Sequence, residues 1–131
     1  MYLINTDIIV FSLKQNVAVQ AKFKEKESVP KAISVITYGE LLYGAHVSQQ
    51  HEKNRAIIRR LADIFPVIGI GIPVIETFAD LKRSLETRGQ GLDDMDLLIA
   101  ATALSLNYRL VTNNESHFSR IKGLEIENWL N

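Results

Sequence analysis

Residues 89–118, GQGLDDMDLLIAATALSLNYRLVTNNESHF, constrain the fold more than any other part of the chain. An acidic entry carrying two glycines, Gly89 to Asp96, runs into a nearly all-apolar segment, Leu97 to Leu106. A helix that is apolar on most sides has to be buried on most sides. It feeds a short strand, Arg109 to Thr112, which ends in a polar turn, Asn113 to Ser116. A buried helix with carboxylates at its start, joined directly to a strand, is the core of an α/β domain.

The rest of the chain repeats the strand–helix pattern. Met1 to Ile4 reads as a buried strand that stops at Asn5-Thr6-Asp7, and a helix follows from Thr6 to Leu13. Val17 to Glu27 is helix-compatible, with Lys22, Lys24 and Lys26 as a solvated face, and Pro30 ends it. Ala32 to Val35 is a second strand. Thr37-Tyr38-Gly39-Glu40 then opens a helix, and Thr37 with Glu40 matches a capping box. Glu52 to Ile64 is amphipathic, with Ile57, Ile58, Leu61 and Ile64 set against Arg55, Arg59 and Arg60. Phe65 to Ile70 is a third strand, and Pro73 starts a helix that runs to Arg88. A last strand, Lys122 to Glu127, precedes Trp129, which is expected to seal the core. Helices between strands imply parallel pairing with right-handed crossovers. The predicted fold is a single domain spanning 1–131, a three-layer α/β/α sandwich around a small parallel sheet.

Polar and acidic groups recur where a strand ends or a helix starts. They are Asn5 and Asp7, then Glu40, then Asp93, Asp94 and Asp96, then Asn113 and Asn114. In a parallel sheet these positions share the carboxyl edge, where ligands bind. Carboxylates gathered there repel one another unless a cation sits between them. Oxygen ligands alone suit Mg²⁺ or Mn²⁺ and not zinc. The simpler alternatives are helix capping for Thr6 and Asp7, the capping box for Glu40 and helix-dipole stabilisation for Asp96.

Composition narrows the function. Formal net charge is zero, which removes a general electrostatic attraction for nucleic acid and leaves only local basic patches. There is no cysteine, so no disulfide framework and no thiolate chemistry, which suits the cytoplasm. No apolar run reaches the roughly 18 residues of a membrane span.

Four segments together resemble the PIN-domain ribonucleases, and more closely the VapC toxins of type II toxin–antitoxin pairs. They are MYLINTDIIVFSLK, ISVITYGELLYGA, GLDDMDLLIAATALSLNYRLVTNN and HFSRIKGLEIENWL. They cover most of the chain in the family's order and spacing. The resemblance implies a PIN-like fold and a Mg²⁺-dependent endoribonuclease, with Mn²⁺ as a substitute, that hydrolyses RNA phosphodiester bonds. It also implies a VapB-like antitoxin, a homodimer and no membrane partner. It assigns catalysis to Asn5, Glu40 and Asp96, and metal binding to the same three with Asp94 and Asn114 as secondary candidates. Lys82, Arg83 and Arg88 are candidates to grip RNA. An antitoxin segment is expected near Ile8, Phe11 and the helix of Tyr43.

One departure matters. The family's triplet opens with aspartate, Asp-Thr-Asn or Asp-Thr-Asp, whereas this chain has Asn5 there. Asparagine keeps the shape and one carbonyl oxygen but loses the charge, so a cation is held more weakly. Asp7 is expected to point elsewhere, from the first helical turn. Two other readings follow from the residues. One is a PIN-fold binding module whose nuclease activity is lost through Asn5. The other is a phosphoryl-accepting receiver domain, which the asparagines after the late strand oppose.

Overall fold

The computed structural model describes residues 1–131. Strand β1 (Tyr2–Ile4) leads into helices α1 (Thr6–Leu13) and α2 (Val17–Glu25). Strand β2 (Lys31–Ser34) is followed by α3 (Val35–His46) and α4 (His51–Ile64), and β3 (Val67–Ile68) by α5 (Ile72–Thr87) and α6 (Asp94–Leu106). Strand β4 (Arg109–Val111), the single turn α7 (Glu115–Phe118) and β5 (Ile126–Glu127) complete the chain. Every pairing is parallel and the sheet order is β3-β2-β1-β4-β5.

The strand order determines where a ligand can sit. From β1 the chain steps outward through β2 and β3, then crosses back to lay β4 and β5 on the other side of β1. Such a reversal opens a crevice between β1 and β4 beyond their carboxyl ends.

Strand alternation divides the core between two faces. Tyr2, Ile4, Ile33 and Val111 point to one face, with Ile8, Ile9, Val19, Leu41, Ile58 and Trp129. Leu3, Ala32 and Leu110 point to the other, with Leu85, Leu97, Ile99, Ala100, Ala103 and Phe118. The register agrees, since Leu3 pairs with both Ala32 and Leu110 while Ile4 pairs with Val111. Trp129 is fully buried and packs edge-on against Tyr2 and Phe23, as its expected sealing role requires.

Local chemistry sets the helix ends. Asn16 caps α2 by accepting from the Val19 amide, and Asp93 caps α6 by accepting from the Met95 amide. Helix α6 stops at Asn107, whose φ of 57° is the left-handed turn that ends many helices. Gly89, at φ 66°, turns the chain out of α5.

Three expectations need correction. The capping box is absent, because α3 begins at Val35 and its cap is Ser34, which accepts from the Ile36 amide. Thr37 therefore lies inside the helix, fully buried, and Glu40 is free for another role. The third and last strands shrink to two residues each, since each edge strand pairs on one side only. The polar turn after β4 contains α7, anchored by the fully buried Phe118.

Candidate active site

The crevice between β1 and β4 is closed at its floor by one hydroxyl. Thr112, just past β4, is fully buried. Its Oγ1 accepts from Asn5 Nδ2 at 3.0 Å and from the Asn114 amide at 3.0 Å, and donates to Asp7 Oδ2 at 3.3 Å. A hydroxyl has one proton and two lone pairs, so this one is saturated. Its proton goes to Asp7, so Asn5 has to present its NH₂ group. That choice leaves Asn5 Oδ1 buried without a partner, on a residue only 6% exposed. Buried polar atoms are nearly always paired, and exceptions mark function or an unseen partner.

Asp7 belongs to this group, contrary to the expectation that it points elsewhere. It lies on the first turn of α1, but its carboxylate reaches across to the end of β4. Oδ1 accepts from the Ile8 amide at 2.8 Å, and Oδ2 also accepts from the Asn113 amide at 2.9 Å. Burial pushes the Asp7 carboxyl above its ordinary range, while these donated hydrogen bonds pull it back. Capping is only part of the triplet's role: Asp7 takes the first-turn amide of Ile8, while Asn5, the N-cap of α1 by backbone geometry, makes no side-chain cap bond.

Thr6 holds Glu40. Its hydroxyl donates to Glu40 Oε1 at 2.6 Å and lies 3.0 Å from the buried Thr37 hydroxyl. A hydrogen bond to a carboxylate is short and stronger than a neutral one. It fixes a side chain that would otherwise wander on the surface of α3.

Asp96, on the first turn of α6, completes the acidic group. Burial pushes its carboxyl up, and the nearby charges of Asp93, Glu40 and Asp7 push it further. His117 on α7 pulls it the other way. Asp93, Glu40 on α3, Asp7 on α1 and His117 on α7 thus all act on Asp96 through their charges, and Asn5 is tied to Asp7 through Thr112.

Of the secondary candidates, Asp94 is committed elsewhere, while Asn114 stands beside Thr112 and His117. Asp94 pairs with Lys82 at 2.9 Å on the exposed surface. Asn114 Nδ2 contacts His117 Nδ1 at 2.7 Å, so its amide orients the ring. Lys82 is consumed by Asp94, and Arg88 is bound to the Ser84 and Arg120 carbonyls. Ile8 is fully buried and offers no docking surface, because it packs in the core below α1. The sequence reading missed Thr6 as a partner of Glu40, Thr112 as the shared hydroxyl, and His117. Only Thr112 had a visible signal, as a hydroxyl residue closing a strand before two asparagines.

The donors in the crevice are oxygens, with one imidazole at the rim. No three Asp, Glu or His side chains stand close enough to grip one ion directly. This donor set still fits a hard cation that keeps much of its water and takes only one or two carboxylates. The orphaned Asn5 Oδ1 supplies a further neutral acceptor.

The chain was compared with known proteins. The PIN domain matches residues 2–124. Ribonuclease VapC2 of Rickettsia felis is 31% identical over 133 residues, covering 98% of both chains. The tRNA(fMet)-specific endonuclease VapC of Shigella flexneri is 30% identical over 129 residues, covering 98% of this chain and 97% of that protein. Among solved structures, VapBC2 from Rickettsia felis bound to a DNA fragment from its promoter superposes with a TM-score of 0.91 at 31% identity, with 98% of each chain covered. With the parallel sheet, the crevice beside β1 and the acids that line it, these matches settle the family: the chain is a VapC-type member of the PIN-domain family.

Proposed function

We propose that this protein is a metal-dependent endoribonuclease toxin restrained by an antitoxin. The observation that carries the reading is the electrostatic conflict in the crevice. Burial, with the charges of Asp93, Glu40 and Asp7, raises the cost of ionising Asp96 at the edge where α/β sheets bind ligands. Such a cluster is unfavourable in the bare protein and favourable around a cation. The VapC names of relatives about 30% identical over nearly the whole chain support the same reaction class.

Glu40 and Asp96 would hold Mg²⁺ or Mn²⁺, with Asn5 Oδ1 as a neutral contribution and water filling the remaining positions. When bound, such an ion activates water and stabilises charge on a phosphate. The chain's own residues prepare the crevice. Thr6 aims Glu40. Asp93 starts α6 and so places Asp96. Asn114 orients the imidazole of His117 at the rim, a polar group for the RNA strand.

The partner reading rests on a groove between α1, α3 and α4. It is about 420 Å³ and is lined by Val10, Leu13, Leu41, Ala45, Ile57 and Ile58, with Thr6 and Glu40 at one end. An apolar antitoxin segment fits the groove, and a cation from it would reach Glu40. Exposed Val35, Tyr43 and Met95 on the far side of Glu40 form an apolar face for a homodimer. The cytoplasm, where RNA and antitoxin meet, is the expected compartment.

The neutral Asn5 favours a second reading, an inactive binding module. The experiment that separates them is cleavage of a tRNA pool by the purified protein with Mg²⁺, with excess EDTA, and with Glu40→Gln. Cleavage that needs both Mg²⁺ and Glu40 supports the nuclease. A folded protein that binds RNA and never cuts it supports the module.

A further inference from the structure

We propose that Asp7 supplies the negative charge that Asn5 lacks, so that Asn5, Thr112 and Asp7 act as one charge-sharing unit of the cation site. The inference rests on the metal-dependent reading above and names the residue that makes it workable in this sequence.

The single hydroxyl proton of Thr112 sets the pattern around it. Asn5 and Asp7 both contact its Oγ1, at 3.0 and 3.3 Å, so their side-chain ends lie side by side across one atom. The hydroxyl already accepts from Asn5 and from the Asn114 amide, and it has one proton to give. Of the two residues flanking it, one has to donate and the other accept. An amide and a carboxylate satisfy that rule, and two carboxylates cannot both receive the proton. The amide at position 5 and the acid at position 7 are therefore complementary. Exchanging them preserves the pattern, whereas adding an acid at position 5 breaks it in the metal-free protein.

The second observation is the orphaned Asn5 Oδ1, on a side chain more than nine-tenths buried. With the NH₂ fixed on Thr112, this oxygen is a buried neutral acceptor with no protein partner. Asp7 accepts from Ile8, Thr112 and Asn113, and the Asn5 side chain is a further hydrogen-bond donor to it. Asp7 thus acts through Asn5 and Thr112, one residue removed from the cation, as a charge and as an anchor of the turn that carries Asn114.

The test compares four proteins: the parent, Asp7→Asn, Asn5→Asp, and the exchange Asn5→Asp with Asp7→Asn. Mn²⁺ affinity is measured by titration calorimetry, and melting temperature is measured in EDTA. Removing a residue one shell from a metal typically weakens binding by about 10- to 100-fold. Asp7→Asn should show such a loss, and the exchange variant should recover to within a few-fold of the parent. In EDTA, Asn5→Asp should melt below the parent, and the exchange should regain part of the difference. If Asp7→Asn folds and binds Mn²⁺ like the parent, the inference fails while the metal reading stands. If the exchange variant is folded and does not recover binding, Asp7 is a structural clamp only and the inference also fails. If Asp7→Asn does not fold, the exchange variant alone decides, by the same criterion. If neither the parent nor Asn5→Asp binds Mn²⁺, both the inference and the metal-dependent reading are overturned.

Discussion

Asp96→Asn should stabilise the metal-free protein, although it removes a carboxylate from the first turn of a helix. Two contributions oppose each other. A negative charge at a helix N-terminus stabilises by about 0.3–1 kcal/mol, and the variant loses that. Against it stand partial burial of the carboxylate and repulsion from Asp93, Glu40 and Asp7, which together raise the Asp96 carboxyl above its ordinary 3.8. Mutational data put the burial of a polar group without full compensation at about 1–3 kcal/mol. Water still screens about half of this group, so only the lower part of that range applies. The expected net gain is on the order of 0.5–1 kcal/mol, or a few degrees in melting temperature for a chain of this size. The pH dependence has a definite sign. The unfolded carboxyl releases its proton at lower pH than the folded one, so the folded parent binds the extra proton in the window above 3.8. Parent stability from this group falls as pH rises through that window, and the variant lacks the slope. The advantage of Asp96→Asn should therefore be full at neutral pH and vanish toward pH 4 and below. Adding Mn²⁺ should reverse the order of the two melting temperatures. The assay is thermal denaturation in EDTA across pH, repeated with Mn²⁺. A variant that melts below the parent in EDTA at neutral pH, or a difference that does not change with pH, would refute the reasoning.

Three further outcomes follow from the geometry. Thr6→Val keeps the shape of the first α1 turn but frees Glu40, so RNA cleavage should drop by about tenfold or more, consistent with loss of a positioning contact, while Thr6→Ser retains most activity; an unaffected Thr6→Val would show that Glu40 needs no holding. Asp94→Ala should leave cleavage within about twofold and stability within about 0.5 kcal/mol, because Asp94 pairs only with Lys82 at the surface; a large loss of cleavage would return Asp94 to the site. Hydrogen exchange of the complex with an antitoxin should show protection on α1, α3 and α4, and Ile57→Arg in the groove should weaken that complex; no protection anywhere in residues 6–65 would show that the partner docks elsewhere.

The layer architecture was legible because it depends on pattern. Buried helices between short apolar runs permit little except a parallel sheet, and the residues of α6 announce their burial by having almost no polar side. Element ends were legible where a proline or glycine acts alone, as at α5. The start of α3 was misread because two hydroxyl residues three positions apart, Ser34 and Thr37, both suit a cap, and the chain used the earlier one. The edge strands were overextended because apolar content alone does not reveal that a strand pairs on one side only. Within the site, Asp96 could be read from its place at an element junction, whereas Glu40 lies inside α3 and was set at a junction only because the start of that helix was misread. The roles of Thr6 and Thr112 could not, because each depends on a partner more than 30 residues away in sequence. The direction of Asp7 was misjudged for the same reason. Its position on the first turn is local information, while the amide of Asn113 that draws it across the crevice is not.

The central claim is that a hydrated divalent cation sits at the carboxyl ends of β1 and β4. The most direct measurement is an anomalous difference map from crystals of the protein grown with Mn²⁺. The account expects one peak in the crevice bounded by Asn5, Glu40 and Asp96, carrying several waters and absent from Asp96→Asn crystals treated in the same way. A peak confined to another part of the surface, or none at Mn²⁺ concentrations that support RNA cleavage, would contradict it.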